Sequence, residues 1–207
     1  GATRELGWTQ AGWKIGCTSL RAQKALNADG PFPGTMFAHR VFKSGDQLPT
    51  IPPNKRVVEP EVAFVMAKSL PPRGTPYAPD DVLSAVAAVH AAIEVVNPRT
   101  PKGFADPVPW FVVDGGLNDS IVLGPAVKPL AADAYARLAA RVSWNGREMQ
   151  GGVGSNALGG GDLALPAGML RKQDRQEVVA GKPVDADAAE SRIPLPAYGA
   201  VMVRRQL

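Results

Sequence analysis

The chain has 207 residues, 45% of them apolar, and a formal net charge of +4, enough material for one well-buried core and hence one domain over residues 1–207. Its 22 glycines and 20 prolines argue for short strands and turns rather than a helical bundle, and its scattered basic residues, without interleaved aromatics, argue against nucleic-acid binding. No run reaches the ~18 apolar residues of a membrane span, and the single cysteine, Cys17, excludes an internal disulfide and fits a reducing, cytoplasmic compartment.

In chain order, Gly12 to Cys17 reads as a short strand flanked by glycines, and Ser19 to Asn27 as a helix capped by Ser19. Gly30-Pro31-Phe32-Pro33-Gly34 reads as loop, and Phe37 to Phe42 as a strand before the turn Ser44-Gly45-Asp46. Val57 to Met66 is a strand, with Pro60 pointing to an edge or an irregular start. A helix opens near Pro79 with Asp80 and Asp81 in its first turn and an apolar stripe of Val82, Val86 and Val89, closing at His90. Ala91 to Val96, Trp110 to Val113 and Ile121 to Leu123 read as further strands, with a loop from Asp114 to Asp119. Asn145-Gly146 is a hairpin signal with arms Arg137 to Trp144 and Arg147 to Gly152, and Tyr198 to Arg204 reads as a terminal strand. Gly151 to Gly161 is glycine-dense, and Arg171 to Glu190 is polar and reads as mobile surface rather than a second domain.

Three acids stand inside these apolar runs. Glu59 and Glu61 open Val62-Ala63-Phe64-Val65-Met66 and share one strand face; Glu94 lies within Ala92-Ile93-Glu94-Val95-Val96. A buried carboxylate costs several kcal/mol unless it is paired or metal-bound. The three therefore point to a hard-cation site, Mg²⁺ or Mn²⁺, completed by waters and substrate. The plain alternative is a solvated edge-strand face. Lys14 is either a surface lysine or a cation near that site. Arg99 would pair with a core acid or a substrate carboxylate. Asp114 precedes two glycines and suits a turn, but it could also orient a water. His39 is a second candidate for proton transfer.

Four segments together resemble the fumarylacetoacetate hydrolase superfamily: Gly-Trp-Lys-Ile-Gly-Cys-Thr-Ser from Gly12, Gly30 to Gly34, Val58-Glu59-Pro60-Glu61-Val62-Ala63-Phe64, and Ala92 to Arg99. The nearest branch is that of the 2-keto-4-pentenoate hydratases and 4-oxalocrotonate decarboxylases. The resemblance runs from about Gly12 to Gly124. It implies a β-rich α+β fold, a mixed-sheet roll or sandwich like the C-terminal domain of that superfamily. It implies that Glu59, Glu61 and Glu94 bind Mg²⁺ or Mn²⁺, that Lys14 lies beside a bound 2-oxo acid, and that the chain forms homo-oligomers. The activity implied is a metal-dependent hydratase-like lyase working through a metal-bound enolate. Decarboxylation of a 2-oxo dioate and C–C hydrolysis of an acylpyruvate are the enzymatic alternatives. The chain departs from the pattern at Asp114-Gly115, where the group carries Asp-Asn, and at Ala38-His39-Arg40, where an acid is common. Leu158 to Gly161 stands where the family has a Leu-Gly-x-Pro helix. The degenerate tail, with an N-terminal region short relative to the family, leaves a weakly active binding or partner subunit as the reading of another class.

Overall fold

A computed structural model describes residues 5–49, 57–145, 147–157 and 200–203. Seven strands form one mixed sheet: β1 (Gln10–Gly16), β2 (Phe32–Phe37), β3 (Val41–Lys43), β4 (Val57–Met66), β5 (Val86–Val96), β6 (Asn118–Val127) and β9 (Ala200–Val203). Their order is β2-β1-β9-β4-β5-β6-β3. The β9–β4 and β3–β6 pairs are parallel, the rest antiparallel. A separate hairpin joins β7 (Ala139–Trp144) and β8 (Arg147–Val153). Four short α-helices lie among the described residues, besides 3₁₀ turns: α1 (Leu20–Leu26), α2 (Pro79–Leu83), α3 (Val108–Val113) and α4 (Ala132–Ala136). This is the β-rich α+β architecture expected. No described helix is long and apolar enough to cross a membrane.

The faces of β4 and β5 follow strand alternation. On one face Phe64, Met66, Val86 and Val89 pack with Tyr135 of α4 and with Trp13 and Leu138. The other face carries two apolar clusters. Met36, Ala63, Ala92 and Ile121 form one; Phe32, Val57, Val96, Phe111 and Leu117 form the second. Met36 comes from β2 and Ile121 from β6, five places along in strand order, yet they share a cluster. A flat sheet would separate them by roughly 24 Å at ~4.8 Å per strand. The sheet therefore curls until this face closes on itself, as a roll does.

Several elements differ from the sequence reading, each for a local reason. Trp110 to Val113 is helical, because Pro107 precedes α3 and Pro109 sits in its first turn, where a missing N–H costs nothing. The apolar stripe Val82, Val86 and Val89 does not extend a helix. It ends at Leu83, and Val86 opens a strand paired with β4 along nearly its whole length. His90 lies in that strand, with Nδ1 2.9 Å from the Gly124 carbonyl. Phe32 to Gly34 is strand rather than loop; Pro33 is tolerated because β2 is a sheet edge. One 3₁₀ turn at Ala38–Arg40 divides the expected Phe37–Phe42 strand and sends β2 and β3 to opposite edges. Pro60 lies within β4 but outside the stretch paired with β9.

Other expectations hold. Ser19 Oγ accepts from the Ala22 N–H at 3.1 Å and caps α1. Asn145 has φ +48°, as a tight hairpin turn requires. The terminal strand spans Ala200–Val203 between β1 and β4. Leu158 to Gly161 and Arg171 to Glu190 lie outside the described residues.

Closure of the roll leaves no room at Gly34. A Cβ there would sit 2.1 Å from the Gly115 carbonyl oxygen, whereas one at Gly30 would meet nothing within 4 Å. Gly34→Ala should therefore cost about 1–3 kcal/mol in urea unfolding, and Gly30→Ala should stay within about 0.5 kcal/mol. Equal effects would contradict this packing.

Candidate metal centre

The pairing of β4 with β5 sets Glu59 directly opposite Glu94, and Glu61 opposite Ala92. Glu59 and Glu61 share a face, so all three carboxylates project into the roll, with the two apolar clusters on either side. One oxygen from each lies within 4.8 Å of the others. Glu61 and Glu94 are buried, and Glu59 is part-exposed. Two like charges at that distance repel by roughly 3 kcal/mol or more at an effective dielectric near 20. Directly opposed like charges also weaken a strand pair.

Lys14 supplies the first compensation. It comes from β1, three places from β5 in strand order, and its Nζ sits 3.2 Å from Glu94 Oε1 with both side chains buried. Burial pulls the Lys14 pKa down. Glu94, then Glu59 and Glu61, and the hydrogen bond to Glu94 outweigh burial, so the net shift is upward and the ammonium stays charged. Glycines make the path for this side chain. A Cβ at Gly16 would lie 2.9 Å from Lys14 Nζ, and one at Gly116 would lie 2.7 Å from Lys14 Cε. Gly116 also has φ +70°, which favours glycine on its own account.

Lys14 does not balance the site. Three carboxylates against one ammonium leave two negative charges in excess when all are ionised. The Glu59 carboxyl responds by rising to about 7, through burial first and Glu94 second, with Lys14 opposing. The donor set is three hard oxygens with an excess charge equal to that of one divalent cation, so the residues fit such an ion.

The other sequence candidates lie elsewhere. Arg99 and Asp114 pair with each other: Arg99 Nε donates to Asp114 Oδ1 at 2.6 Å, and the Arg99 N–H to Oδ2 at 2.8 Å. Arg99 Nη2 donates to the Asp114 and Asn118 carbonyls, both at 2.9 Å. This clamp holds the 114–118 segment, whose glycines face Gly34 and Lys14. His39 is exposed, its ring centroid 4.9 Å from that of Trp8 and 6.1 Å from that of Phe37. Among the described contacts none joins His39 to the glutamates. One residue beside the carboxylates escaped the sequence reading: Asn118 Nδ2 donates to Glu94 Oε1 at 2.9 Å. Its only sequence signal is a polar side chain at the start of an apolar strand.

The chain resembles characterised proteins along most of its length. It is 27% identical over 192 residues to a 4-oxalocrotonate decarboxylase of Pseudomonas sp., covering 92% of this chain and 73% of that one. It is 32% identical over 150 residues to a 2-keto-4-pentenoate hydratase of Burkholderia vietnamiensis, covering 72% of this chain. There the match spans only 55% of the relative's own length. Among solved structures, 4-oxalocrotonate decarboxylase from Pseudomonas putida G7, complexed with magnesium and adipate, superposes with a TM-score of 0.66. That match has 17% identity and covers 99% of this chain and 73% of the other, so it speaks for the fold. The same enzyme is known complexed with calcium and acetate. No protein-family model matches the sequence.

The raised Glu59 carboxyl makes stability depend on pH in a defined direction. Its folded pKa of about 7 exceeds the ordinary 4.5, so the folded state holds this proton more tightly than the unfolded state does. The stabilising contribution is full below about 4.5 and is lost as pH rises to about 7. It amounts to at most about 3 kcal/mol, because Glu59 keeps part of its surface in water. Without divalent cations, the Tm gap between parent and Glu59→Gln should shift toward the variant as pH goes from 5 to 7.5. A gap independent of pH would contradict the assignment.

Proposed function

Since this chain belongs to the 2-keto-4-pentenoate hydratase and 4-oxalocrotonate decarboxylase branch of the fumarylacetoacetate hydrolase superfamily, we propose that it is a divalent-metal-dependent hydratase-like lyase acting on a small 2-oxo acid or its dienol form. One observation carries the reading. Glu59, Glu61 and Glu94 converge within 4.8 Å inside a roll, and Lys14 stands 3.2 Å from one of them. In this proposal the three glutamates hold Mg²⁺ or Mn²⁺. The cation would offer Lewis acidity to the carboxylate and 2-oxo oxygens of the substrate.

The protein's own groups do the rest. Lys14 holds a full positive charge in a buried setting, which favours an anionic substrate head and any oxyanion that develops beside it. Its Nζ lies 3.2 Å from Glu94, which places Lys14 to bind the substrate carboxylate and, where a bound cation would offset the glutamates that hold its pKa up, to move a proton on the dienol. The apolar clusters on either side of the acids confine solvent contact to the part-exposed Glu59. Gly16 and Gly116 leave the room that the lysine stem and its ammonium occupy. For delivery of water to the distal carbon, Asp114 and then His39 remain the candidates. Both Asp114 oxygens accept from Arg99, so this clamp must loosen or act through a bridging water. Arg99 is assigned first to holding the 114–118 segment and second to a substrate carboxylate.

A second reading has its own support. A relative matched over 92% of this chain is a decarboxylase. Loss of CO₂ from a 2-oxo dioate needs the same charge stabilisation and no water delivery. We further propose a cytoplasmic homo-oligomer of single-domain subunits, with the exposed Trp110 and Val113 of α3 as apolar contacts available for assembly. Sedimentation should show a species heavier than 21.7 kDa.

Purified protein with Mg²⁺ should consume 2-hydroxypenta-2,4-dienoate. Release of CO₂ from 4-oxalocrotonate instead would favour the decarboxylase. Binding of Mg²⁺ and oxalate without turnover of either substrate would favour a binding member of the family.

Lys14→Ala should lower turnover by about 10²–10⁴-fold, the range for a lost proton-transfer group. Its cation affinity should hold or tighten, because a competing positive charge has gone. Unchanged catalytic efficiency would remove Lys14 from the chemistry. Asp114→Asn should slow hydration about a hundredfold if Asp114 orients the water. A variant that only melts earlier would leave Asp114 with the Arg99 clamp alone.

A further inference from the structure

We infer that Asn118 is a positioning residue that fixes which oxygen of Glu94 faces the cation and so sets the preference of the site for a small ion over a large one. The inference rests on the proposed cation site. Glu94 Oε1 receives two donors, Asn118 Nδ2 at 2.9 Å and Lys14 Nζ at 3.2 Å. A carboxylate oxygen engaged in this way is a poor partner for a cation. The cation is left with Oε2, and Glu94 is restricted to one-oxygen ligation.

Asn118 can perform this task because it is itself held at three points. It is buried at the first position of β6, in register with Val96 of β5. Its carbonyl accepts from Arg99 Nη2 at 2.9 Å. Leu117, its chain neighbour, packs in the apolar cluster of Phe32 and Phe111, and the Leu117 carbonyl accepts from the Asn97 N–H at 3.0 Å. The amide side chain therefore arrives at Glu94 on a backbone that has little freedom. Lys14 alone would not impose the same restriction, because an ammonium on a flexible stem can follow the carboxylate as it turns.

One-oxygen ligation suits a small ion. Mg²⁺ demands near-octahedral geometry at about 2.0–2.1 Å, which a chelating carboxylate distorts. Ca²⁺ takes six to eight oxygens at about 2.3–2.6 Å and accepts both oxygens of a carboxylate. Removing the Asn118 donor frees Oε1 to chelate, which penalises Mg²⁺ and compensates Ca²⁺. Hydrogen bonds that orient metal ligands are typically worth 10–100-fold in metal affinity or activity.

The test is titration calorimetry of the full chain with Mg²⁺ and, separately, with Ca²⁺, on the parent, Asn118→Leu and Asn118→Ser. Leucine keeps the volume without a donor; serine is a smaller replacement that guards against a leucine variant that fails to fold. We expect Mg²⁺ affinity to fall by about 10–100-fold in both variants and Ca²⁺ affinity to fall by clearly less, so that the Mg²⁺:Ca²⁺ ratio moves toward Ca²⁺. A folded variant that keeps Mg²⁺ affinity within twofold of the parent overturns the inference. Equal losses for both ions also overturn it, because they signal a general loosening of packing. A parent that binds neither ion overturns the proposed cation site, and the role of Asn118 with it.

Discussion

The structure turns on two glutamates placed face to face. The antiparallel pairing of β4 and β5 sets Glu59 against Glu94, and Glu61 one step along the same face. Strand pairs avoid such an arrangement, because opposed like charges repel and burial removes the water that would screen them. Here the pairing is kept in register from Val57 to Val65 by apolar neighbours at both ends of the acid group. The strands cannot slip by one residue without turning the whole apolar set outward. Packing thus holds the carboxylates together against their own electrostatics.

Curvature of the sheet follows from the same requirement. Lys14 belongs to a strand three places away, too far to reach Glu94 across a flat sheet. The roll brings β1 over the acid face, and glycine at positions 16, 34, 115 and 116 lets backbone and lysine stem pass where any Cβ would collide or strain the chain. Cys17, just after this strand, has φ +60°, a further sign of how tightly the backbone bends beside the site. Burial raises its thiol pKa, Lys14 opposes and Glu59 adds, so it is a packed thiol rather than a thiolate nucleophile.

A second layer of polar contacts carries the geometry outward. Arg99 ties the end of β5 to Asp114 and Asn118; Asn118 reaches Glu94; Arg40 Nε donates to the Asp119 carbonyl at 2.7 Å. These bonds hold the 114–119 segment as one unit over Lys14. The charged centre is therefore bounded by apolar clusters along the strands and by a clamped glycine turn across them. Such a boundary leaves the buried charges of Lys14, Glu61 and Glu94 weakly screened, the condition under which fixed charges act most strongly on a substrate.

Strand alternation alone placed Glu59 and Glu61 on one face, and apolar surroundings marked all three acids as costly to bury; both facts are local and can be read from residue order. The β-rich class and the Asn145 hairpin were legible for the same reason, since glycine, proline and alternation act over a few residues. The sequence misread α3 because β-branched residues suggest a strand while two prolines at the helix start decide otherwise. It misread Val86 to His90 because an apolar stripe of that spacing fits a helix until a ten-residue partner strand is available. Register, curl and reach belong to the tertiary structure alone. That Glu94 opposes Glu59, that Lys14 touches Glu94, and that Asn118 holds its oxygen all depend on pairings between segments tens of residues apart. Such pairings are chosen by the energy of the closed sheet as a whole, which no short stretch of the chain contains.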